Sequence, residues 1–165
     1  MLTDLKTITA SITRPADTTA YADGDVVTGS TAAALDFNLA AYNPGMGGWF
    51  LRADVLSSAY VAVAPEFDLW LFDTTLTPAA DNAAFAPTDA EMATRLAVLP
   101  VTIAQPGTKT AGAGGNQWIS SDDVRVPFVA APTSMHVYGV LVARTAYVPI
   151  SGEVFTIDLT VERER

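Results

Sequence analysis

Three apolar-rich stretches near the end of the chain decide the fold: VRVPFV at residues 124–129, MHVYGVLVARTAYV at 135–148 and VFTIDLTV at 154–161. Short turn-forming segments at 131–134 and 149–152 separate them. The last stretch alternates apolar and polar residues, which is typical of a half-buried strand. With several short strands upstream and one helix, this pattern predicts a mainly-β, single-domain antiparallel β-sandwich or jelly roll.

Upstream segments support the same fold class. Ile8, Ala10 and Ile12 alternate with hydroxyl residues, which predicts a strand, whereas residues 43–48 are predicted as a loop. Residues 67–73 are apolar on both faces, as expected for a central or covered strand. The only helix signal is a capping box at Thr88 and Glu91, ahead of residues 92–96. The glycine-rich residues 105–116 predict a long, mobile loop because glycine offers no side chain to bury.

Composition limits the functional classes. The 165 residues are enough for one domain spanning 1–165, and half of them are hydrophobic, which excludes a disordered acidic tail. Nine Lys and Arg against eighteen Asp and Glu give a net charge of −9, which argues against a nucleic-acid partner. The absence of cysteine excludes disulfides and thiolate metal sites. No apolar run is long enough to cross a bilayer and no cleavable signal is visible, so no membrane partner is predicted.

The sequence offers little for catalysis or metal binding. His136 is the only histidine, and no Gly-x-Ser-x-Gly motif presents a serine nucleophile, so we predict a structural or exposed histidine, no catalytic residues and no enzyme. An all-oxygen cation site would need one of three acidic groups: Asp17 with Asp23 and Asp25, Asp81 with Asn82, or Asp122 with Asp123. None has the spacing of an EF-hand, and Asp and Asn are favoured in turns for local reasons. We therefore predict no metal and no cofactor.

Trp118 is the aromatic residue best placed for an external contact, because it directly follows the glycine-rich loop. The other tryptophans and tyrosines are more simply explained by core packing. An exposed aromatic platform would also suit a carbohydrate- or receptor-binding β-sandwich, which remains an alternative function.

Several segments together resemble a family of small structural proteins of tailed bacteriophages. They are TRPADTTAY at 13–21 with GDVV at 24–27, LWLFD at 69–73, Pro78 with ADNAAF at 80–85, and AYVP at 146–149 with SGEVF at 151–155. The resemblance covers most of the chain, but it carries no catalytic signature and supplies no functional residues. It implies a virion structural role, that of a capsid decoration (cement) protein, with a neck or tail accessory subunit as the closest alternative.

In that role the protein is expected on the outer surface of the phage head, and in the host cytoplasm during assembly. The expected partners are the major capsid protein and other copies of the chain, for example as a trimer. The acidic charge favours the outside of a DNA container over its inside. From the residues we predict contacts by the N-terminal segment 1–14 and the loop 105–118. The candidate interface residues are Leu5, Ile8, Ile12, Lys109, Trp118, Arg163 and Arg165.

Overall fold

The computed structural model describes residues 2–61, 63–105 and 115–165. Strands dominate, and the pairs formed in the described chain are antiparallel. In chain order the elements are β1 Thr3–Thr13, β2 Val26–Val27, β3 Leu35–Phe37, β4 Gly47–Ser57, β5 Phe67–Phe72, α1 Asp89–Met92, β6 Arg95–Gln105, β7 Gln117–Ser121, β8 Val126–Val129, β9 Val137–Ala143 and β10 Val154–Glu164. The predicted mainly-β, sandwich-like class is confirmed.

One sheet curls around a shared core. Its strand order is β1-β10-β4-β7-β6-β5-β9-β2, while β3 also pairs with β9 and β8 also pairs with β4. Ile8 of β1 and Val27 of β2, from opposite ends of this order, belong to the same hydrophobic cluster. Phe67 of β5 and Phe155 of β10 meet edge to face with ring centroids 5.4 Å apart. The two halves of the sheet therefore face each other across one core.

Strand β10 shows why the sequence folds this way. Its inward side chains, Phe155, Ile157, Leu159 and Val161, are fully buried, and the polar residues between them stay half-buried on the other face. Burying each such side chain stabilises the fold by about 1.5–3 kcal/mol. The alternation therefore fixes which face of β10 joins the core.

Strand β5 is central, as its two apolar faces predicted. It lies between β6 and β9. Leu69 and Leu71 point into the main core, whereas Phe72 and Trp70 join a second, smaller cluster on the outer side of the sheet. Both faces of β5 are thus covered by the chain itself.

The capping box is confirmed, but the predicted extent of the helix is wrong. Thr88 Oγ1 accepts a hydrogen bond from the Glu91 backbone N–H, and the Glu91 carboxylate accepts one from the Thr88 N–H. The helix ends at Met92, because β6 begins at Arg95 and aligns Ala97, Leu99 and Val101 with the core.

The sequence did not reveal β6, which contains Pro100. Proline is tolerated where a strand is open on one side. Pro100 pairs with Asp68 of β5, whereas pairing with β7 begins only at Val101.

Two other boundaries differ from prediction. Gly47 and Gly48, predicted within a loop, begin β4; a Cβ on Gly48 would lie 2.3 Å from the Glu162 carbonyl oxygen, so only glycine allows β10 to approach there. The strand predicted over 135–148 is confined to β9, Val137–Ala143. Residues 106–114 of the predicted loop, including Lys109, lie outside the described residues.

The N-terminal segment is an integral strand. β1 pairs with β10 from Thr3 to Thr13, and Ile8 and Ile12 are only 8% and 7% exposed. The prediction that residues 1–14 contain few self-burying side chains is therefore wrong. The alternation that suggested an extended contact segment instead places every second side chain toward the core.

Candidate functional site

The two halves of the sheet differ in what covers their outer face. On the half formed by β5, β9 and β2, the segment 73–93 packs over the outward side chains. Phe85 from this segment lies against Trp70 with ring centroids 5.1 Å apart, and Leu76 completes the small cluster. This half is closed by the chain itself.

The same segment also caps the sheet edge at β2. Val26 N–H donates to the Ala83 carbonyl at 2.8 Å, and Asn82 N–H donates to the Val26 carbonyl at 3.0 Å. Asn82 adopts a positive φ of 61° and its side-chain amide donates to the carbonyls of Thr19 and Ala20. This edge therefore has no free room for another strand.

On the other half of the sheet, no segment among the residues that the structure describes packs over the outer face, which we call the uncovered face. It is formed by outward side chains of β1, β10, β4 and β7: Leu5, Thr7, Thr9, Ser11, Thr156, Asp158, Thr160, Glu162, Arg52, Asp54, Leu56 and Trp118. Most are hydroxyl or charged residues.

Hydrogen bonds order the uncovered face across its strands. Thr9 Oγ1 donates to Asp158 at 2.5 Å, and the hydroxyls of Thr7 and Thr160 lie 3.1 Å apart. On the neighbouring strands, the Trp118 indole N–H donates to Asp54 at 3.2 Å. These contacts hold the side chains in place before any partner binds.

Two carboxylates stand opposite each other at the centre of this face. Asp158 of β10 is the register partner of Asp54 of β4, an arrangement that like charges disfavour. Arg52 relieves it by donating to Asp54 at 2.9 Å and to Ser120 Oγ at 2.9 Å. The face can therefore accept hydrogen bonds and cations from a partner.

The predicted interface residues fall into different places. Leu5, which is 68% exposed, and Trp118, which is 39% exposed, both lie on the uncovered face. Ile8 and Ile12 lie in the core, so as side chains they cannot contact a partner in this fold. Lys109 is outside the described residues.

Arg163 and Arg165 meet at Asp4 of β1. Arg163 is buried, bonds to the Asp4 carboxylate and donates to the Leu39 carbonyl at 3.1 Å. Arg165 lies 3.1 Å from the other Asp4 oxygen and stacks over the Tyr42 ring. The hydrogen bond from Arg163 is the main cause that lowers the pKa of Asp4. These arginines tie the N-terminal end of β1 to β10.

The edge of β1 is open. Arg165 N–H donates to the Leu2 carbonyl and Arg14 N–H donates to the Glu153 carbonyl, both at 3.0 Å, and no register shift interrupts the pairing between them. Even-numbered residues of β1 thus bond to β10, and the backbone groups of the odd-numbered residues point away from it. Within the described chain, no backbone hydrogen bond joins those groups to another segment.

A buried polar network lies at the far end of β1, and sequence reasoning missed it. Asp81 accepts hydrogen bonds from Arg14 Nη2 at 3.0 Å, from the Tyr21 hydroxyl at 2.6 Å and from Thr28 N–H at 2.9 Å. Burial, followed by the bond to Asp81, raises the pKa of Tyr21. Three donors of the chain itself bind the Asp81 carboxylate, which the sequence offers as a candidate cation ligand.

The network extends to the loop before β10. Tyr147 stacks on Tyr21 with centroids 5.0 Å apart, and burial raises its pKa. Glu153 lies 2.5 Å from Ser57 Oγ and accepts from Ile150 N–H at 3.1 Å; burial raises its pKa as well. These residues come from segments far apart in sequence, which is why no local pattern indicated the cluster.

Other candidates are accounted for locally. His136 is half-buried, with Nδ1 2.7 Å from Asp36, and its ring stacks on Tyr138. In the described residues, no three or more His, Asp or Glu side chains gather where they could hold a metal ion. A recess of about 260 Å³, lined by Val63, Val148 and Glu66 among others, is smaller than typical small-molecule sites of roughly 300–1,000 Å³.

Comparison with known protein families and with curated proteins finds no match to this chain. None of the helices that the structure describes is long and apolar enough to span a membrane. The uncovered face and the open β1 edge are therefore the features from which a function is argued.

Proposed function

We propose that this protein is a non-enzymatic virion structural protein that binds the outer surface of a phage capsid and stabilises the shell as a decoration, or cement, protein. Its partners would be the major capsid protein and other copies of the chain, on the outside of the head. The proposal combines the resemblance of the sequence with the difference between the two halves of the sheet.

The observation that carries the proposal is the uncovered face. Residues 73–93 cover one half of the sheet, whereas in the described part of the chain no segment covers the other half, whose outward side chains are already hydrogen-bonded to each other. Side chains ordered in advance lose little conformational entropy on binding. Such a face suits docking onto a rigid polar surface.

The side chains of the uncovered face are suited to weak binding of each copy to a shell that carries many copies. Its hydroxyls and carboxylates offer hydrogen bonds, while its apolar area is confined to residues such as Leu5 and Trp118. Many copies on one shell raise the total binding strength because engagement at one site favours engagement at its neighbours. The net charge of −9 favours the exterior of the particle, since packaged DNA would repel the protein.

Binding to capsids that lack the protein tests this proposal. Thr160→Arg places a long, charged side chain at the centre of the uncovered face, and we expect it to weaken co-sedimentation with such capsids at least about ten-fold. The matched control is Thr75→Arg, an exposed threonine in the segment that covers the other half. Equal binding of the two variants would contradict the assignment of the face.

Deleting residues 1–14 is a poor test, because it would also remove the core residues Ile8 and Ile12. Cryo-microscopy of labelled particles gives a better second test, since density at the neck or tail alone would refute the head location and favour an accessory subunit there.

A carbohydrate-binding role is the second candidate, and the exposed ring of Trp118 is the observation that favours it. Its indole N–H is already bound to Asp54, which fixes the ring on the face. A glycan-array signal that Trp118→Ala abolishes would support this role over shell binding.

A further inference from the structure

The edge of β1 is a long strand edge that the described chain neither pairs nor caps. Residues 10–13 face the segment 28–36 across a groove of about 200 Å³, which leaves residues 3–9 as the accessible part. Their outward backbone groups belong to Thr3, Leu5, Thr7 and Thr9. Exposed edges of this kind pair readily with another strand.

We infer that the accessible part of β1 pairs antiparallel with β1 of a second copy, about a two-fold axis at Leu5. In this register Leu5 lies opposite Leu5 of the second copy, and Thr3 lies opposite Thr7. Each of these pairs exchanges two backbone hydrogen bonds between groups that now point to solvent. The two sheets then continue into each other across the axis.

Side-chain chemistry selects this register over its neighbours. An axis at Lys6 would place two lysines face to face, and an axis at Asp4 would place two carboxylates face to face. An axis at Thr7 would put Lys6 opposite the apolar Ile8. Of these axes, only the one at Leu5 places Lys6 opposite Asp4. This register is favoured because cross-strand pairs of opposite charge stabilise a sheet and like charges destabilise it.

Within one copy, the Leu5 side chain is exposed to solvent and the Lys6 ammonium has no ion-pair partner among the described residues. Leu5 is the only apolar residue among the outward side chains of β1, and it is 68% exposed. No ion pair involves Lys6 in the described residues, whereas Asp4 of the same strand pairs with both Arg163 and Arg165. Pairing about Leu5 covers the Leu5 side chain and places the Asp4 carboxylate of the second copy beside Lys6.

Charge balance indicates a second copy as the occupant. The strand ends that meet carry three carboxylates, Asp4, Glu162 and Glu164, and three cations, Lys6, Arg163 and Arg165. The net charge of −9 therefore lies elsewhere on the molecule. This edge is a place where two acidic copies can meet without local repulsion.

A cysteine scan of the full chain tests the register, because the protein has no cysteine of its own. Leu5→Cys should form a disulfide-linked dimer under mild oxidation, since directly paired Cα atoms lie about 5.5 Å apart, within disulfide range. Thr9→Cys is the matched control: it is also exposed and outward, but two such residues would stand roughly 26 Å apart in this register. A mixture of Thr3→Cys and Thr7→Cys chains should cross-link to each other.

Sedimentation of the unmodified chain and of two variants tests the pairing itself. Thr7→Pro removes an outward N–H that β10 does not use, so the fold is kept while dimer dissociation rises about ten-fold or more. Lys6→Glu should also dissociate the dimer, whereas Lys109→Glu, with the same change in net charge outside β1, should not.

A chain that stays monomeric at all accessible concentrations would overturn the inference. Cross-linking through Thr9→Cys instead of Leu5→Cys would overturn the register. The dimer is measured without capsids, and Thr160→Arg lies outside the paired strand, so this inference and the proposed capsid role can fail separately.

Discussion

Asp81→Asn is expected to destabilise the fold strongly, because it removes the charge that compensates a buried guanidinium. The Arg14 side chain is fully buried, and Asp81 is its closest carboxylate at 3.0 Å; Asp81 is itself only 8% exposed. Asparagine keeps the shape and can still accept from Tyr21 and Thr28, but its amide cannot neutralise Arg14. The substitution therefore removes the negative charge at position 81 while leaving the size and shape of the side chain nearly unchanged.

Breaking a buried ion pair by removing one partner costs about 3–5 kcal/mol. For a chain of this length, 1 kcal/mol shifts the melting temperature by roughly 2–4 °C, so we expect Tm to fall by about 6–20 °C. Differential scanning calorimetry and urea unfolding measure both quantities.

The control is Asp68→Asn, which breaks an ion pair of nearly the same length. Arg144 lies 2.9 Å from Asp68, but it is 45% exposed, so solvent screens the pair and the expected cost is about 0–1 kcal/mol. Equal losses of stability in the two variants would refute the argument that burial determines the cost.

Three further predictions concern the stability of the fold. Burial raises the pKa of Glu153 above its ordinary value of 4.5, so its contribution to stability is complete below that pH and is lost as pH rises through the folded-state pKa. Glu153→Gln should therefore gain stability relative to the parent chain as pH rises, and parallel pH profiles in urea unfolding would contradict this. Gly48→Ala should cost about 1–3 kcal/mol in the same assay, because its Cβ would meet the Glu162 carbonyl. Thr88→Ala should cost about 1 kcal/mol by removing the helix N-cap, without changing far-UV circular dichroism of the sheet.

The sequence predicted those parts of the fold that local alternation determines. β10 and β5 followed from the spacing of their apolar residues, and the capping box located the start of the helix. β6 was missed because Pro100 and the adjoining helix signal obscured its alternation. The full pairing of β1 with β10 could not be predicted either, since the paired residues lie 141 to 161 positions apart in the sequence.

The candidate site was less predictable for a related reason. Trp118 was found from its position after the glycine-rich loop, but its bond to Asp54 joins two strands that are distant in sequence. The uncovered face is defined by the position of residues 73–93, which cover only the other half of the sheet. No local sequence pattern predicts where that segment packs. The Arg14–Asp81 network likewise depends on tertiary structure.

Salt dependence separates the two electrostatic effects that act on the inferred dimer. The long-range effect is repulsion between two copies of charge −9. With centres about 30 Å apart, twice the radius of gyration of roughly 15 Å expected for this length, the repulsion is about 11 kcal/mol in pure water. Screening reduces it to about 4 kcal/mol at 0.01 M salt and to under about 1 kcal/mol at 0.15 M.

The short-range effect has the opposite sign and is smaller. The Lys6–Asp4 contacts across the axis are exposed pairs worth about 0–1 kcal/mol each, and salt weakens them. Because the loss of repulsion exceeds the loss of these contacts, the dimer dissociation constant should fall at least about ten-fold between 0.01 M and 0.15 M salt. Sedimentation equilibrium measures this, with Thr7→Pro as the control for non-specific association. Association that weakens with salt would instead mean that the ion pairs outweigh the long-range repulsion, and the relative sizes of the two effects given above would then be wrong.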